Sequence, residues 1–115
     1  MLTLTDENFE KEICNAKKPV LVDFWMESCG PCYILSPILE KLGNDFGEKI
    51  ILAKVNIAKA PIVFQRYEIE ATPTIILFKD GKPKSGFVGL RSETEIKEWL
   101  ENSLKNNDEW YWKNN

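Results

Sequence analysis

Histidine is absent from this chain of 115 residues. Cys–His nucleophilic catalysis, Ser–His–Asp hydrolysis and zinc sites with imidazole ligands all need this residue, so the sequence excludes them. The chain has three cysteines, which is one too few for a four-thiolate zinc or iron–sulfur site within a single chain. We therefore predict no metal site, and the chemistry that remains is cysteine chemistry assisted by carboxylates or lysine.

Long apolar segments and an excess of positive charge are also missing. The longest apolar runs are far shorter than the roughly 20 residues that a membrane helix needs. No basic segment followed by an apolar stretch opens the chain, so we expect no signal peptide. The net charge of −3 gives no electrostatic reason to bind nucleic acid or an anionic membrane surface. We expect a soluble, monomeric, cytoplasmic protein that binds neither.

Apolar runs and helical periodicities alternate along the chain in the order β-α-β-α-β-α-β-β-α. A strand–helix–strand order of this length predicts a right-handed βαβ unit with parallel strands, and Asp80-Gly81 predicts a later antiparallel hairpin. The fold class is α/β, with a central mixed sheet of about five strands flanked by four helices. We assign one domain to 1–104 and a tail to 105–115, whose aromatics Trp110, Tyr111 and Trp112 could dock on the domain or on a partner.

Two helices carry detailed expectations. Thr5 is predicted as the N-cap of the first helix, on which Cys14 packs as a small apolar residue or serves as a regulatory or dimer-forming thiol. The second helix is expected to kink at Pro37. Its predicted apolar row consists of Ile34, Ile38 and Leu42, with Phe46 below it, and Leu35 and Leu39 widen this stripe.

Two cysteines separated by two residues follow the apolar run 20–26 and open the second helix. Cys29 falls at the helix N-terminus, where unpaired N–H groups and the helix dipole favour a thiolate. Cys32 lies one turn on, close enough to close a small disulfide ring, and Pro31 stiffens the loop. A Cys-x-x-Cys pair beside a βαβ pattern predicts a thiol–disulfide redox centre. The alternative is a pair of buried, inert cysteines.

Asp23 lies in the middle of the same apolar strand, where an unpaired carboxylate is costly. Burial should raise its pKa and make it a proton acceptor in the neutral range. It precedes Cys29 by six residues, so its side chain could lie beneath the dithiol, and Lys54 on the next strand is a candidate partner. The alternative is that Asp23 turns outward at an edge of the sheet.

The sequence resembles the thioredoxin family over roughly residues 2–104. The segments that carry the resemblance are Val22–Trp25, Cys29–Cys32, Pro37, Thr72–Thr74, Phe78–Gly81 and Val88–Gly89. The resemblance implies the thioredoxin fold and a dithiol–disulfide oxidoreductase that reduces protein disulfides.

The resemblance also implies individual roles. Cys29 would attack a client disulfide to form a mixed disulfide, and Cys32 would resolve it. Asp23 would assist proton transfer at Cys32, with Lys54 beside it. The redox-active Cys29–Cys32 disulfide would be the only redox group, with no bound cofactor. The partners implied are disulfide-containing client proteins and a thioredoxin reductase linked to NADPH or ferredoxin.

A substrate groove is implied as well. Pro73 would follow a cis peptide bond and would frame the groove for an extended client backbone, while Trp25 would pack under the active-site loop. The predicted substrate-binding residues are Trp25, Gly30, Pro31, Thr72, Pro73 and Gly89.

The sequence departs from the family pattern on both sides of the cysteine pair. Most thioredoxins have tryptophan before the first cysteine and a cation after the second, whereas this chain has Ser28 and Tyr33. These changes affect client choice, reductase recognition and redox potential rather than the reacting atoms. Two alternatives follow: a specialised thioredoxin-like protein with restricted clients and its own reductase, or a redox-inert binding module with this fold.

Overall fold

The computed structural model describes residues 1–105, and the element order within them is the predicted one. The strands and helices are β1 (Leu2–Leu4), α1 (Phe9–Asn15), β2 (Val20–Trp25), α2 (Gly30–Phe46), β3 (Ile51–Asn56), α3 (Pro61–Arg66), β4 (Thr74–Lys79), β5 (Lys82–Val88) and α4 (Glu93–Lys105). Short 3₁₀ turns follow α2 at Gly47–Lys49 and β3 at Ile57–Lys59. No helix in this described part is long and apolar enough to cross a membrane. The three tail aromatics lie outside the described residues.

The five strands of residues 1–105 form one mixed sheet in the order β1-β3-β2-β4-β5. Strands β1, β3 and β2 are parallel, whereas β4 runs antiparallel to β2 and β5 antiparallel to β4. β2 is central and lies under helices on both faces, which explains why its sequence is an almost unbroken apolar run. The predicted mixed sheet with four helices is confirmed.

Two apolar layers cover the two faces of the sheet, because side chains alternate along each strand. One layer joins Val20, Val22 and Phe24 of β2 to buried residues of α1 and α3. The other layer joins Leu21 of β2 to α2 and α4, and we call this side of the sheet the α2 face. Its buried helical residues are Leu35, Leu39, Leu42, Ile96 and Leu100.

The start of α1 differs from the expectation. Thr5 does not cap this helix, because a turn intervenes and the helix begins only at Phe9. The Asn8 side chain accepts a hydrogen bond from the Thr5 amide (2.7 Å), and the Thr5 hydroxyl accepts one from Glu7 N–H (3.2 Å). These short side-chain contacts favour a turn over a helix at this point. Cys14 is likewise not packed as a small apolar residue.

Cys14 is a free, exposed thiol, so the expectation that it packs as a small apolar residue is wrong, and the regulatory or dimer-forming thiol stays a prediction. α1 buries Phe9 and Ile13, which are four residues apart and therefore share one face. Cys14 follows Ile13 by one residue, and this step of about 100° turns its side chain away from the core.

The apolar row predicted on α2 is also partly wrong. Ile34 is 56% exposed, whereas the buried face of the helix runs through Leu35, Leu39 and Leu42. Ile38 and Phe46 are partly buried against this layer. Ile34 belongs to the first turn of α2, one residue off the buried row. α2 continues through Pro37 to Phe46, and the kink expected there stays a prediction.

Candidate active site

Three chain segments meet at one end of the sheet. Phe24 near the end of β2 pairs with Thr74 at the start of β4, and Thr74 pairs with Val88 at the end of β5. The loop after β2 carries the cysteine pair, the loop before β4 carries Thr72 and Pro73, and Gly89 directly follows β5. The strand order therefore brings together residues that are up to sixty positions apart in the chain.

Cys29 and Cys32 form a disulfide, with their Cα atoms 5.4 Å apart. Cys29 is the N-cap of α2 in extended backbone conformation, and its Sγ accepts a hydrogen bond from the Cys32 amide at 3.1 Å. Pro31 lies in the first turn, where its missing N–H costs no helical hydrogen bond. The N-terminal amide and the helix dipole that meet Sγ here would stabilise a Cys29 thiolate after reduction.

The two cysteines differ in exposure. Cys29 is 7% exposed and Cys32 only 3%, so Cys29 is the more accessible to an incoming sulfur. Gly30 between them borders open space, since a Cβ built on it would meet no atom within 4 Å. The loop backbone between the two cysteines therefore faces solvent at Gly30.

Asp23 is 3% exposed and lies inside the sheet, so the alternative in which it turns outward at an edge is excluded. It shares the α2 face with Leu21 and lies two residues before the end of β2, the strand that leads into the loop with Cys29. Burial raises the pKa of Asp23 to about 7, and the positive charge of Lys54 opposes this shift. Its Oδ1 atom is buried and accepts no hydrogen bond from the described residues.

Lys54 is the direct register partner of Asp23 on the neighbouring parallel strand. Their side chains are on the same face, because Lys54 follows Leu52, which packs against the layer under α2. The Lys54 Nζ atom also lies 5.9 Å from the centre of the Trp25 ring. The lysine is therefore near the Trp25 ring and close enough to Asp23 for its charge to act on the carboxyl group.

Trp25 ends β2 on the same face and packs edge-on against Tyr33, with ring centres 6.3 Å apart and an interplanar angle of 70°. Its Nε1 atom is buried and donates no hydrogen bond to the described residues. The Tyr33 hydroxyl donates to the carbonyl oxygen of Glu27 at 2.9 Å. The sequence marked Tyr33 only as a departure from the family pattern and gave no sign of this contact.

The Thr72–Pro73 peptide bond is cis, as the resemblance implies. The Gly89 amide donates to the Pro73 carbonyl oxygen at 2.9 Å, which ties the end of β5 to the loop before β4. Gly89 has a φ of +91°, a conformation that L side chains rarely adopt, and a Cβ there would face open space. The structure thus brings the predicted groove residues Thr72, Pro73 and Gly89 to the disulfide end of the sheet.

A titratable cluster suited to a metal is not found within residues 1–105, where no group of three His, Cys, Asp or Glu side chains is assembled. The chemically competent groups at this end of the sheet are the disulfide, the buried carboxylate and the lysine. A dithiol with a nearby proton acceptor of pKa near 7 can exchange disulfides at neutral pH.

Comparisons with known proteins agree with this geometry. The family model described as Thioredoxin matches residues 1–102. The thioredoxin of Rickettsia bellii is 41% identical over 101 residues, which is 88% of this chain and 96% of that protein. The thioredoxin of Buchnera aphidicola subsp. Acyrthosiphon pisum is 39% identical over 104 residues, which is 90% of this chain and 96% of the relative. That of Acidithiobacillus ferridurans is 38% identical with the same coverage.

Proposed function

The chain belongs to the thioredoxin family and is a thiol–disulfide oxidoreductase, and we propose that Cys29 and Cys32 carry its reduction of protein disulfides. The observation that supports this assignment is the disulfide between them at the N-terminus of α2, with Cys29 as the more exposed partner. A domain that served only as a redox-inert binding module would have no need of both thiols.

The reaction proceeds in two exchanges. In the reduced protein, the Cys29 thiolate attacks one sulfur of a client disulfide, forms a mixed disulfide and releases the other client sulfur as a thiolate. The Cys32 thiolate then attacks Cys29 Sγ, which breaks the mixed disulfide and releases the second client thiolate. The client gains two electrons, and the protein ends with the Cys29–Cys32 disulfide.

Asp23 supplies the proton acceptor for the second exchange in this proposal. Cys32 must lose its proton before it attacks, and a carboxylate with a pKa near 7 on the strand that leads into the loop with Cys29 is matched to that task at neutral pH. Lys54 acts as a positioning residue in this proposal, since its positive charge lowers the pKa of Asp23.

The client backbone is proposed to lie along the groove at this end of the sheet. Thr72, Pro73 and Gly89 border it opposite the loop that contains Gly30 and Pro31, and Trp25 supports that loop from below. The support for this proposal is the hydrogen bond from Gly89 to Pro73 and the open space at both glycines, which leave room for an extended chain.

The partners, the absence of a bound cofactor, the monomeric state and the location belong to the same proposal. The partners are client proteins with disulfides and a thioredoxin reductase linked to NADPH or ferredoxin, which returns two electrons to the Cys29–Cys32 disulfide. The pair needs no bound cofactor and acts within a single monomer. A cytoplasmic location fits this direction, because a disulfide reductase needs a compartment whose thiol pool is reducing.

Reduction of insulin driven by dithiothreitol tests the proposal with three proteins: wild type, Cys29→Ser and Cys32→Ser. We expect turnover above the background of dithiothreitol only for the wild type. Cys32→Ser should trap client proteins as covalent mixed disulfides that dithiothreitol releases, whereas Cys29→Ser should trap none.

Two results would contradict the assignment. Equal, negligible turnover in all three proteins would refute the redox function of the pair and favour the binding module. Trapping by Cys29→Ser instead of Cys32→Ser would reverse the roles of the two cysteines.

A further inference from the structure

Tyr33 extends along one flank of the disulfide loop. Its backbone directly follows Cys32, while its hydroxyl reaches the carbonyl oxygen of Glu27, two residues before Cys29. The ring therefore runs from one end of the loop to the other. It is 57% exposed although it also packs edge-on against Trp25.

The segment that accepts the Tyr33 hydrogen bond also contacts the end of β3 and the 3₁₀ turn that follows it. Asn56 Nδ2 donates to Glu27 Oε1 at 3.4 Å, and Lys59 Nζ lies 4.0 Å from the same oxygen. Each contact is weak alone because it is exposed. Tyr33 itself is held by its hydroxyl bond to the Glu27 carbonyl and by the ring of Trp25, so a partner that contacts this ring loses little conformational entropy in ordering it.

Two further exposed residues lie next to the disulfide loop in the chain. Ile34, the next residue of α2, is 56% exposed, and Ser28 before Cys29 is small and exposed. An exposed aromatic ring with an apolar neighbour is the residue type that most often anchors a protein contact. A client that presents its sulfur to Cys29 passes beside this surface.

We propose that Tyr33 is a specificity-determining residue for the disulfide exchange, and that its ring favours clients with an aromatic or large apolar side chain next to the reacting cystine. The inference rests on the proposed function and names the class of client that this site prefers. Tyr33 contacts the client in this scheme and takes no part in the transfer of electrons.

Two synthetic peptide disulfides test the proposal, identical except that phenylalanine or glycine flanks each cystine. Steady-state kcat and KM are measured with dithiothreitol as reductant. Tyr33→Ser should raise KM for the phenylalanine peptide about fivefold, a typical loss for one aromatic contact, and should leave kcat unchanged. Kinetics with the glycine peptide should stay at the wild-type values, which also shows that the variant is folded.

Two further variants sharpen the test. Tyr33→Phe keeps the ring and should keep most of the preference for the phenylalanine peptide. Ile62→Ser removes a side chain of matched exposure (59%) from α3, a helix that carries none of the proposed site residues. This variant should reduce both peptides as the wild type does.

Several outcomes would overturn the inference. Equal losses with both peptides in Tyr33→Ser would make the tyrosine structural. The same KM change in Tyr33→Phe would assign the effect to the hydroxyl, and the same change in Ile62→Ser would make it nonspecific. Failure of the wild type to reduce either peptide would refute the proposed function itself, and the inference with it.

Discussion

At the scale of single residues, the pKa of Asp23 is set by its surroundings. In water its carboxyl group would be ionised at pH 7, but the apolar layer under α2 removes that hydration and brings the pKa to about 7. Near neutral pH the group is therefore present in both protonation states. This is the condition in which a carboxyl group can accept a proton from Cys32 and later return it to solvent.

Asp23→Asn removes this proton acceptor while it keeps the size of the side chain. We expect Cys32 to resolve a mixed disulfide about a hundredfold more slowly at pH 7, a typical loss for a general base. The inflection near pH 7 should also disappear. Stopped-flow release of a chromophoric thiol held at Cys29, followed from pH 5 to 9, measures both. An unchanged pH profile would contradict the role of Asp23.

Lys54→Met tests how far the charge of Lys54 on β3 lowers the pKa of Asp23 on β2. The charge of Lys54 lowers the pKa of Asp23 against the larger effect of burial, so its removal should raise that pKa above about 7. Carbon-13 NMR titration of the Asp23 carboxyl group in the oxidised protein gives the value directly. Lys59→Met is the control, because this exposed lysine pairs with Glu27. A shift of equal size in both variants would contradict the assignment.

At the scale of elements, the helices differ in how their first turns are satisfied. α4 begins with a capping box, in which the Ser92 hydroxyl accepts a hydrogen bond from the Glu95 amide and the Glu95 carboxylate accepts one from the Ser92 amide. α3 is capped from a distance. Asp6, which follows β1, accepts hydrogen bonds from the amides of Ile62 and Val63 at 3.1 and 3.0 Å.

Asp6→Ala should therefore destabilise the protein, because the side chain that it removes caps α3. Loss of both charged acceptors at the start of α3 should lower the free energy of unfolding by about 1–2 kcal/mol. Urea denaturation at pH 7 measures the change. Glu7→Ala serves as the control, because Glu7 is the acidic residue next to Asp6 and its side chain is exposed. Equal effects of the two substitutions would show that the cap contributes nothing specific.

At the scale of the whole molecule, the raised pKa of Asp23 links stability to pH. The folded protein binds this proton up to about pH 7, whereas the unfolded chain releases it near 3.8. Stability should therefore fall as pH rises through this window. The difference between the two values corresponds to a loss of about 4 kcal/mol.

Comparison with Asp23→Asn isolates this contribution. The stability advantage of the oxidised variant over the oxidised wild type should grow from pH 4 to pH 7 and level off above pH 8. Urea denaturation at a series of pH values measures it, and the other carboxyl groups cancel because both proteins contain them. An advantage that does not change with pH would show that Asp23 titrates alike in the folded and unfolded chain.

The order of elements and the reactive pair were readable from the sequence because both are local. An apolar β-branched run, a Cys-x-x-Cys spacing and a helical period each involve residues within about one turn or strand of one another. The buried strand before Cys29 and the helix after it are enough to assign the nucleophile and the small disulfide ring. The predicted start of α1 was wrong because the Asn8 side chain bonds to the Thr5 amide, which favours a turn before the helix.

Only the tertiary structure decided what depends on strand order and register. It set Asp23 opposite Lys54, joined Gly89 to Pro73 and turned Ile34 toward solvent. It also gave α3 a cap from a residue 56 positions away. No pattern along the chain encodes such contacts, because they arise when packing of the apolar layers fixes which distant segments become neighbours. The sequence by itself thus determined the reactive cysteine pair and pointed to Asp23 and Lys54, because these lie on or beside one local strand–helix unit. The fold determined the burial of Asp23, its register with Lys54 and the surface beside the disulfide, because these depend on how distant segments pack.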